Sequence, residues 1–479
     1  MERRFYFTYV PQVQFQIIPP RYPVVARWFL VLLAMELSCV TLFAQTLKNM
    51  TVLSNFKHPG TEFACSGTWG WTSPKTGKEY GLMTVDSPGG LSIIDLSNPR
   101  APAEVAFIPL GYNDNWQEVS SYRNTVYKIS QSVGTGLQII DMSPLNTGGI
   151  PKLISNFTKY FNSAHTLFVD SVTARLFVAY GNATGVIILS LADPLNPVEI
   201  GRILGMAHDM TARGNRLYIS TQDKMTTQIW DIENLGAPLR IGLIDHKAFN
   251  TSIGEPVVTM AHSSTLSEDG KYLFTAEEVE GTTTKVWDVS DPTKPIFISK
   301  FIGVTNVISH NLYVRGNLLF VAHNRAGLRI WDISEPKAIK ELAYHMPSIS
   351  KEVGSGTWGV YPWFKSGVLI HGDRELGLYA IDPAAELKPT ALTLGGQGTP
   401  SAFLIHGVEN RSLIFQANKP GAYTLSLYSM GGREVLHFSG EGKAGRQIIT
   451  LSPEALGKGR LMALLRQRTD RYSALISKF

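Results

Sequence analysis

Cysteine is scarce in this chain. Its 479 residues include two cysteines, Cys39 and Cys65, and Cys39 lies in an N-terminal segment that we expect to be cleaved off. A single remaining thiol excludes an internal disulfide and a metal centre built from cysteine pairs. We therefore expect packing alone to hold the fold, with Cys65 as a small buried residue.

Charged residues are also few. Asp, Glu, Lys and Arg make up 17% of the chain, the formal net charge is +5, and no dense run of Lys and Arg occurs. This pattern excludes the basic footprint of a nucleic-acid-binding protein. The hydrophobic fraction of 44% is typical of a globular protein. We expect no nucleic-acid partner.

Familiar catalytic motifs are missing. The chain contains no GxSxG, HExxH or CxxC motif, no P-loop and no EF-hand calcium loop. Each of these motifs places a nucleophile, a metal ligand or a phosphate-binding backbone at a fixed spacing. Without them, the sequence does not assign a catalytic residue.

One apolar run bears on localisation. Arg21 and Arg27 precede the run Trp28–Ala44, which is the order of charged and apolar segments in a secretory signal. We therefore interpret residues 1–44 as an N-terminal extension and signal peptide. A retained membrane anchor is the alternative, but Glu36 interrupts a run that is short for a spanning helix. We expect the mature chain to be exported and to have no transmembrane segment.

The main feature that is present is an internal repeat. An apolar strand that ends in Asp and a Pro-containing turn recurs, as in GLSIIDLSNP and GLRIWDISEP, at spacings of 41 to 57 residues. This period is that of four-stranded propeller blades. The Asp is expected to cap backbone N–H groups of the turn that follows it. The aligned positions are Asp95, Asp141, Ser190, Asp231, Asp288, Asp332 and Asp382.

Further strands recur in the same register. A segment with a Trp or His lies upstream of each turn, a short apolar segment follows it, and another follows the turn, so each repeat supplies four strands. A four-stranded sheet cannot bury both faces by itself. We therefore predict that residues 45–394 form a seven-bladed β-propeller. Residues 50–56 are expected to complete the last blade and close the ring, and residues 387–394 to be a linker or an extra strand.

These residues closely resemble the LVIVD-repeat propellers, specifically the bacterial group called choice-of-anchor B. The most specific segments are SHNLYVRGNLLFVAHNRAGLRIWDISEP (309–336) and GTWGVYPWFKSGVLIHGDRELGLYAID (356–382). The resemblance implies a propeller that is held at the cell surface by a separate C-terminal device. Ser190 and the shortened turn after Asp382 depart from the repeat and are expected to weaken single turns.

Residues 395–479 change in character. Apolar and polar residues alternate around Gly-rich turns, which predicts a small C-terminal β-sandwich. The segment resembles the C-terminal sorting domain of the type IX secretion system. The resemblance implies a secreted or cell-surface, outer-membrane-associated protein of a Gram-negative, Bacteroidetes-like bacterium, with the type IX machinery as a partner.

The best candidate site is formed by equivalent residues at the start of each repeat. If the first strand is innermost, these side chains lie at a similar depth around the axis. They are Trp69, Trp116, His165, His208, His262, His310 and Trp358, with Glu118, Asp209 and Asn311 beside them in sequence. We interpret them as a ligand-binding axial funnel, and His165, His208, His262 and His310 as potential ligands of a divalent metal. The alternative is structural, with each His bonded to the backbone of a neighbouring blade.

A second group of polar residues follows the next strand of several repeats. Its members are Asp86, Glu277, Glu278, His323, Asn324, His371 and Asp373. They are candidates for the mouth of a funnel and equally for ordinary turn residues.

The sequence leaves two classes of function open for the axial residues, and a third class in which these residues have no functional role. The first is a non-enzymatic scaffold that binds a ligand or another cell-envelope protein. The alternative is a metal-dependent envelope hydrolase or lyase, with the His residues as metal ligands and Glu118 or Asp209 as general base. In the third, recognition is confined to loops such as 246–256 or 345–356.

Overall fold

The structure, a computed structural model, describes the ranges 46–61, 65–111, 113–179, 185–257, 260–347 and 352–388, and seven strands between residues 403 and 476. The predicted signal segment 1–44 and both predicted domain boundaries, at 44/45 and 394/395, lie outside the described residues. Of the proposed linker 387–394, only its first two residues are described. Among the described residues no helix is long and apolar enough to cross a membrane.

Short runs of β-branched and aromatic residues form the strands of the propeller, which pair into seven antiparallel sheets. Blade 1 contains β3 (Thr68–Thr72), β4 (Glu79–Val85), β5 (Gly90–Asp95) and β6 (Ala103–Pro109). Blade 2 contains β7 (Gln117–Tyr122), β8 (Thr125–Ser130), β9 (Leu137–Asp141) and β10 (Lys152–Phe157). Blade 3 contains β11 (Thr166–Asp170), β12 (Arg175–Ala179), β13 (Gly185–Ser190) and β14 (Val198–Leu204).

The remaining blades follow in chain order. Blade 4 contains β15 (Asp209–Arg213), β16 (Arg216–Thr221), β17 (Thr226–Asp231) and β18 (Leu239–Asp245). Blade 5 contains β19 (Ala261–Leu266), β20 (Tyr272–Glu277), β21 (Thr284–Asp288) and β22 (Ile296–Phe301). Blade 6 contains β23 (Asn311–Arg315), β24 (Leu318–Ala322), β25 (Leu328–Asp332) and β26 (Lys340–Met346). Blade 7 contains β27 (Thr357–Tyr361), β28 (Leu369–Asp373) and β29 (Gly377–Pro383).

The fourth strand of blade 7 comes from the start of the propeller. Strand β2 (Met50–Phe56) pairs with β29, which confirms the prediction that residues 50–56 close the ring. A short strand that the sequence did not indicate, β1 (Thr46–Lys48), pairs with β26 as a fifth strand of blade 6. The N-terminal segment therefore joins the two last blades.

Each blade shares its hydrophobic core with its neighbours. Among the described residues, one cluster of buried apolar side chains lies at each of the seven blade interfaces. Blades 6 and 7, for example, bury Phe320 and Ile330 against Leu369 and Ile381. The first strands of neighbouring blades contact each other around the axis, so the first strand of each repeat is innermost, as the site prediction required.

The turn residue of the repeat acts as predicted. Asp95, for example, accepts a hydrogen bond from the N–H of Ser97 at 2.7 Å, and Asp332 accepts one from Ser334 at 2.9 Å. Ser190 makes the same bond over a longer distance, 3.3 Å to the N–H of Ala192. Asp382 instead pairs with Lys388 at 2.6 Å, because its turn is shortened.

In the described part of the propeller, one α-helix interrupts the repeat. Helix α1 (His246–Ile253) connects blades 4 and 5, begins with a hydrogen bond from Ala248 N–H to the Asp245 side chain, and ends at Gly254 in the left-handed conformation. Two single 3-10 turns lie at Ser143–Thr147 and Ala385–Leu387. The helix accounts for the longest spacing between repeats.

The C-terminal segment contains two antiparallel sheets. One consists of β30 (Phe403–Glu409), β31 (Ser412–Ala417) and β34 (Gly445–Thr450). The other consists of β32 (Gly421–Ser429), β33 (Glu434–Gly442), β35 (Leu461–Gln467) and β36 (Asp470–Ile476). This all-β arrangement agrees with the predicted small sandwich.

Candidate functional site

All ten residues predicted to form the site line one axial cavity of about 510 Å³. They are Trp69, Trp116, Glu118, His165, His208, Asp209, His262, His310, Asn311 and Trp358. The inner strands of the seven blades carry them or begin directly after them. The structure thus brings the predicted residues together, and ligand binding by them stays a prediction.

The local pairing of the inner strands explains why successive residues both line the cavity. The N–H of His208 donates to the carbonyl of Ser220 at 2.8 Å, although Ser220 pairs with the next residue, Asp209. Blade 6 repeats this arrangement at His310, whose N–H donates to Ala322, the pairing partner of Asn311. Two residues that oppose one partner form a local bulge, which turns both side chains away from the regular alternation.

Six of the seven equivalent aromatic residues form a closed ring. In order around the axis, the ring contains Trp116, His165, His208, His262, His310 and Trp358, with neighbouring ring centroids 3.8 to 6.5 Å apart. We call these six residues the axial ring. Because they come from six different blades, the ring exists only in the closed propeller.

Trp69 does not belong to the axial ring, which corrects the prediction that all seven residues lie at one depth. Its ring contacts are with Tyr361 at 5.2 Å, Trp363 at 5.3 Å and Tyr313 at 6.4 Å. Trp69 pairs regularly with Leu82 and has no bulge before it. Blade 1 offers no side chain at Gly67, where a Cβ atom would lie 2.8 Å from the carbonyl oxygen of Gln117. Trp116 and Trp358 therefore close the ring across blade 1.

Backbone carbonyl groups orient the imidazoles. Nδ1 of His262 donates to the carbonyl of His310 at 2.9 Å, and Nδ1 of His310 donates to the carbonyl of Trp358 at 3.2 Å. The predicted structural role, a bond from each His to the backbone of the next blade, is therefore present in two blades. Because Nδ1 carries the single ring hydrogen of neutral His262 and His310, the Nε2 atoms of these two residues are unprotonated.

His165 is held differently. Its Nδ1 lies 2.7 Å from Nε2 of Gln131, and its Nε2 lies 2.9 Å from Nε2 of His208. The two imidazoles must therefore share one hydrogen between these Nε2 atoms.

Burial keeps the four imidazoles neutral. Loss of hydration lowers the pKa of His165 to about 4 and of His262 to about 3. The same effect, reinforced by neighbouring imidazoles, holds the pKa values of His208 and His310 well below the ordinary value. Neutral imidazoles have a lone pair available for a metal ion or a hydrogen-bond donor.

The structure changes the set of potential metal ligands. The ligand atoms of His208, His262 and Glu278 all lie within 4.8 Å of one another. Nε2 of His310 also lies 3.9 Å from the carboxylate of Glu278. The predicted set of four imidazoles therefore loses His165, which lies on the far side of His208, and gains a carboxylate. Glu278 was assigned from sequence to the second polar group and not to the axis.

The other members of the second polar group have structural partners. Glu277 contacts His246, Asn250 and Lys285 in the protein interior. His323 contacts Ser309 and the main chain, and His371 contacts His345 and Thr357. Asp373 caps its own turn, Asp86 accepts a hydrogen bond from Ser66, and Asn324 takes part in a backbone bridge to blade 7. Glu277, His323 and His371 are therefore core residues, as the alternative interpretation predicted. Asp86, Asn324 and Asp373 each also have a buried side-chain atom with no hydrogen-bond partner among the described residues.

Arg374 is a site residue that sequence reasoning missed. Its guanidinium lies 4.9 Å from the ring centroid of Trp116 and 4.7 Å from that of Trp358, a cation–π arrangement. It also lies 3.8 Å from Asp86. The segment HGDRELG contains no signal for this role, because the two rings come from blades 2 and 7.

Three carboxyl groups of the cavity have raised pKa values. Burial raises the pKa of Glu118 to about 8 and the pKa values of Asp209 and Glu278 to about 7. At neutral pH, protonated and ionised forms are therefore both populated. Such groups can donate as well as accept hydrogen bonds and can exchange protons with a ligand.

Comparison with known proteins bears on the fold. The family model of the LVIVD repeat matches residues 84–107 and 308–343, which lie in blades 1 and 6. No curated protein matches the chain. Among solved structures, the chain is similar to the β-propeller domain of Cps50 (Swd1) from Myceliophteria thermophila, at 14% sequence identity and a TM-score of 0.47, over 69% of this chain and 98% of that one. This protein is a seven-bladed β-propeller that carries LVIVD repeats.

Proposed function

We propose that this protein is an exported cell-surface propeller that binds a small polar ligand in its axial cavity without transforming it. The observation that carries the proposal is the cavity itself. Its volume of about 510 Å³ lies within the range of small-molecule sites. It is lined by the residues that the repeat places at the start of the inner strands, and blades of this kind supply a rigid frame for such a site.

The lining favours a ligand with hydroxyl groups and a flat apolar face, such as a sugar ring. Trp69, Trp116, Trp358 and Trp363 supply aromatic surfaces, and Glu118 supplies a carboxyl group that exchanges protons near neutral pH. Aromatic faces bind the C–H face of such a ligand, while the polar groups bind its hydroxyls. Trp116 is 37% exposed, so a ligand that enters the cavity can reach it.

Replacement of Trp116 by Ala is expected to weaken binding of such a ligand about fivefold, because an aromatic contact of this kind contributes about 1 kcal/mol. Saturation-transfer NMR with a panel of mono- and disaccharides identifies a binder, and isothermal titration then gives the affinity. Phe438→Ala is the matched control, because Phe438 is also 37% exposed but lies on β33. A Trp116→Ala variant that binds as tightly as the unmodified protein would contradict the cavity as the binding site.

We also propose that residues 395–479 direct the protein through the type IX pathway to the cell surface, where it is retained or released. The resemblance of this segment to the sorting domain and its two antiparallel sheets support this proposal. The ligand site and the sorting segment would then have separate roles.

Deletion of residues 395–479 is expected to hold the protein in the periplasm of a bacterium that has a type IX system. The full chain is expected to be cleaved by protease added to intact cells, and the truncated chain to be protected. Full-length Glu118→Gln serves as the control, because it changes the cavity and keeps the segment. Equal surface cleavage of the truncated chain would rule out this sorting role.

A metal-dependent hydrolase or lyase of the envelope is the second candidate function. One observation favours it: imidazole and carboxylate ligand atoms converge at Glu278. Glu118 and Asp209 line the same cavity, and their raised pKa values suit a general base or acid. Turnover of a substrate by the metal-loaded protein would favour this function over binding alone.

A further inference from the structure

We propose that His208, His262, His310 and Glu278, which all line the axial cavity, bind one divalent transition-metal ion of the zinc class. The proposal does not depend on the polar ligand described above. It assigns to the axial ring a chemical role in addition to its contribution to blade packing.

The imidazoles are already oriented for an ion. His208, His262 and His310 come from three consecutive blades, with ring centroids 4.5 and 4.1 Å apart. Since backbone carbonyls accept the Nδ1 hydrogens of His262 and His310, the Nε2 lone pairs of these two residues are free to act as ligands. A metal-binding His usually has its second nitrogen fixed in this way.

The carboxylate of Glu278 lies between the imidazoles. It is 3.8 Å from Nε2 of His262 and 3.9 Å from Nε2 of His310. A tetrahedral ion with bonds of about 2.1 Å separates its ligand atoms by roughly 3.4 Å. These two pairs therefore have to approach by about half an ångström (from the same bond lengths). The ligand atom of His208 lies within 4.8 Å of those of His262 and Glu278, so it has to move by up to about 1.4 Å, which rotation of the side chains can supply.

His310 gives an independent indication of a ligand. Its Nε2 is buried and, among the described residues, has no hydrogen-bond partner, and the residue is 2% exposed. A buried polar atom without a partner is costly and rare in native proteins. An ion bound at this nitrogen would supply the missing interaction.

The chemical types of the proposed metal ligands determine which class of ion the site favours. Three neutral imidazoles and one carboxylate suit zinc and its transition-metal neighbours, whereas calcium and magnesium need mostly oxygen ligands. Arg325 donates hydrogen bonds to the main-chain carbonyl of Asn306 and to Glu280, and a guanidinium cannot act as a ligand, so it is not part of the set. His165 is left out because Gln131 and His208 contact its two ring nitrogens. To bind the ion through Nε2, His208 has to give up its contact with His165.

The test uses the full chain, stripped of metal with a chelator and titrated with Zn²⁺ and with Co²⁺. We expect one ion per chain by elemental analysis, and visible Co²⁺ absorption typical of four-coordinate nitrogen and oxygen ligands. Glu278→Gln keeps the shape of the side chain and is expected to raise the Kd at least tenfold. His262→Ala is expected to raise it at least a hundredfold.

Two variants serve as controls. His58→Ala removes another imidazole that contacts a carboxylate, since Nδ1 of His58 lies 2.7 Å from Glu104, and it is expected to leave the Kd unchanged. His165→Asn removes a ring imidazole outside the proposed set and is expected to change the Kd less than threefold. Circular dichroism of each metal-free variant separates lost ligands from lost folding.

Either of two results would overturn the proposal. One is an unmodified, folded protein that binds neither ion at a hundred micromolar. The other is binding that Glu278→Gln leaves unaffected, or that His165→Asn weakens as much as His262→Ala does. Saccharide binding measured in parallel distinguishes failure of the metal site from failure of the proposed function, since it needs no metal.

Discussion

A chain that begins at Lys57, and so lacks β1 and β2, is expected to lose cooperative folding or to unfold at least about 10 °C below the full chain. Strand β2 supplies the outer strand of blade 7 and pairs with β29 from Met50 to Phe56. Without it, β29 becomes an unpaired edge and the apolar surface that Met50 covers is exposed. Thermal unfolding followed by circular dichroism measures the loss.

A chain that begins at Asn49 is the matched control. It also lacks the N-terminal segment and β1, but it keeps β2 and the hydrogen bond from the Asn49 side chain to the carbonyl of Leu342. We expect it to unfold within a few degrees of the full chain. Equal unfolding temperatures for the two truncated chains would mean that closure by β2 does not stabilise the ring.

Replacement of Lys285 by Met is expected to destabilise the propeller by about 3–5 kcal/mol, because it leaves buried carboxylates without their partner. Lys285 is fully buried, and its ammonium lies 2.9 Å from Glu277 and 3.0 Å from Glu255. Burial acts to raise the pKa of Glu277, but its contacts with His246 and Lys285 outweigh burial and lower it. The carboxylate therefore stays ionised. Urea unfolding measures the change in the free energy of unfolding.

Lys300→Met provides the comparison for this network. Lys300 also contacts Glu255, at 2.7 Å, but its side chain is 40% exposed, so its loss is expected to cost under about 1 kcal/mol. The double variant Lys285→Met/Glu277→Gln is expected to recover part of the stability, because it removes one of the buried carboxylate charges that Lys285→Met leaves without a partner. A loss no larger for Lys285→Met than for Lys300→Met would refute this account of the buried network.

Much of the fold could be predicted because the same short sequence pattern recurs in seven repeats. Alternation of apolar residues predicts each strand, and the Asp that ends β5 or β25 predicts the turn after it. The departure at Ser190 appears in the structure as a longer hydrogen bond. Strand β1 could not be predicted, since three residues at an outer edge have no periodicity to detect.

The candidate site was predictable in composition but not in arrangement. Equivalent positions in a repeat lie at equivalent places around an axis, and so ten of the lining residues could be named in advance. The depth of Trp69 along the axis could not be predicted, because it depends on whether a bulge precedes the residue. The position of Glu278 beside the imidazoles could not be predicted either. Its carboxylate lies near the side chains of His262 and His310, which are 16 and 32 positions away from it in the sequence.

The sequence by itself determined the seven blades, the closing strand and the Asp-capped turns. These features follow from short-range patterns that every repeat contains, and a four-stranded sheet has to stack to bury its faces. Only the tertiary structure decided which side chains meet. Closure of the ring, the bulges and the absence of a side chain at Gly67 place Trp116 against Trp358, Arg374 against both rings, and Glu278 between two imidazoles. Distances across an axis depend on all seven blades at once, and no segment of the chain specifies them alone.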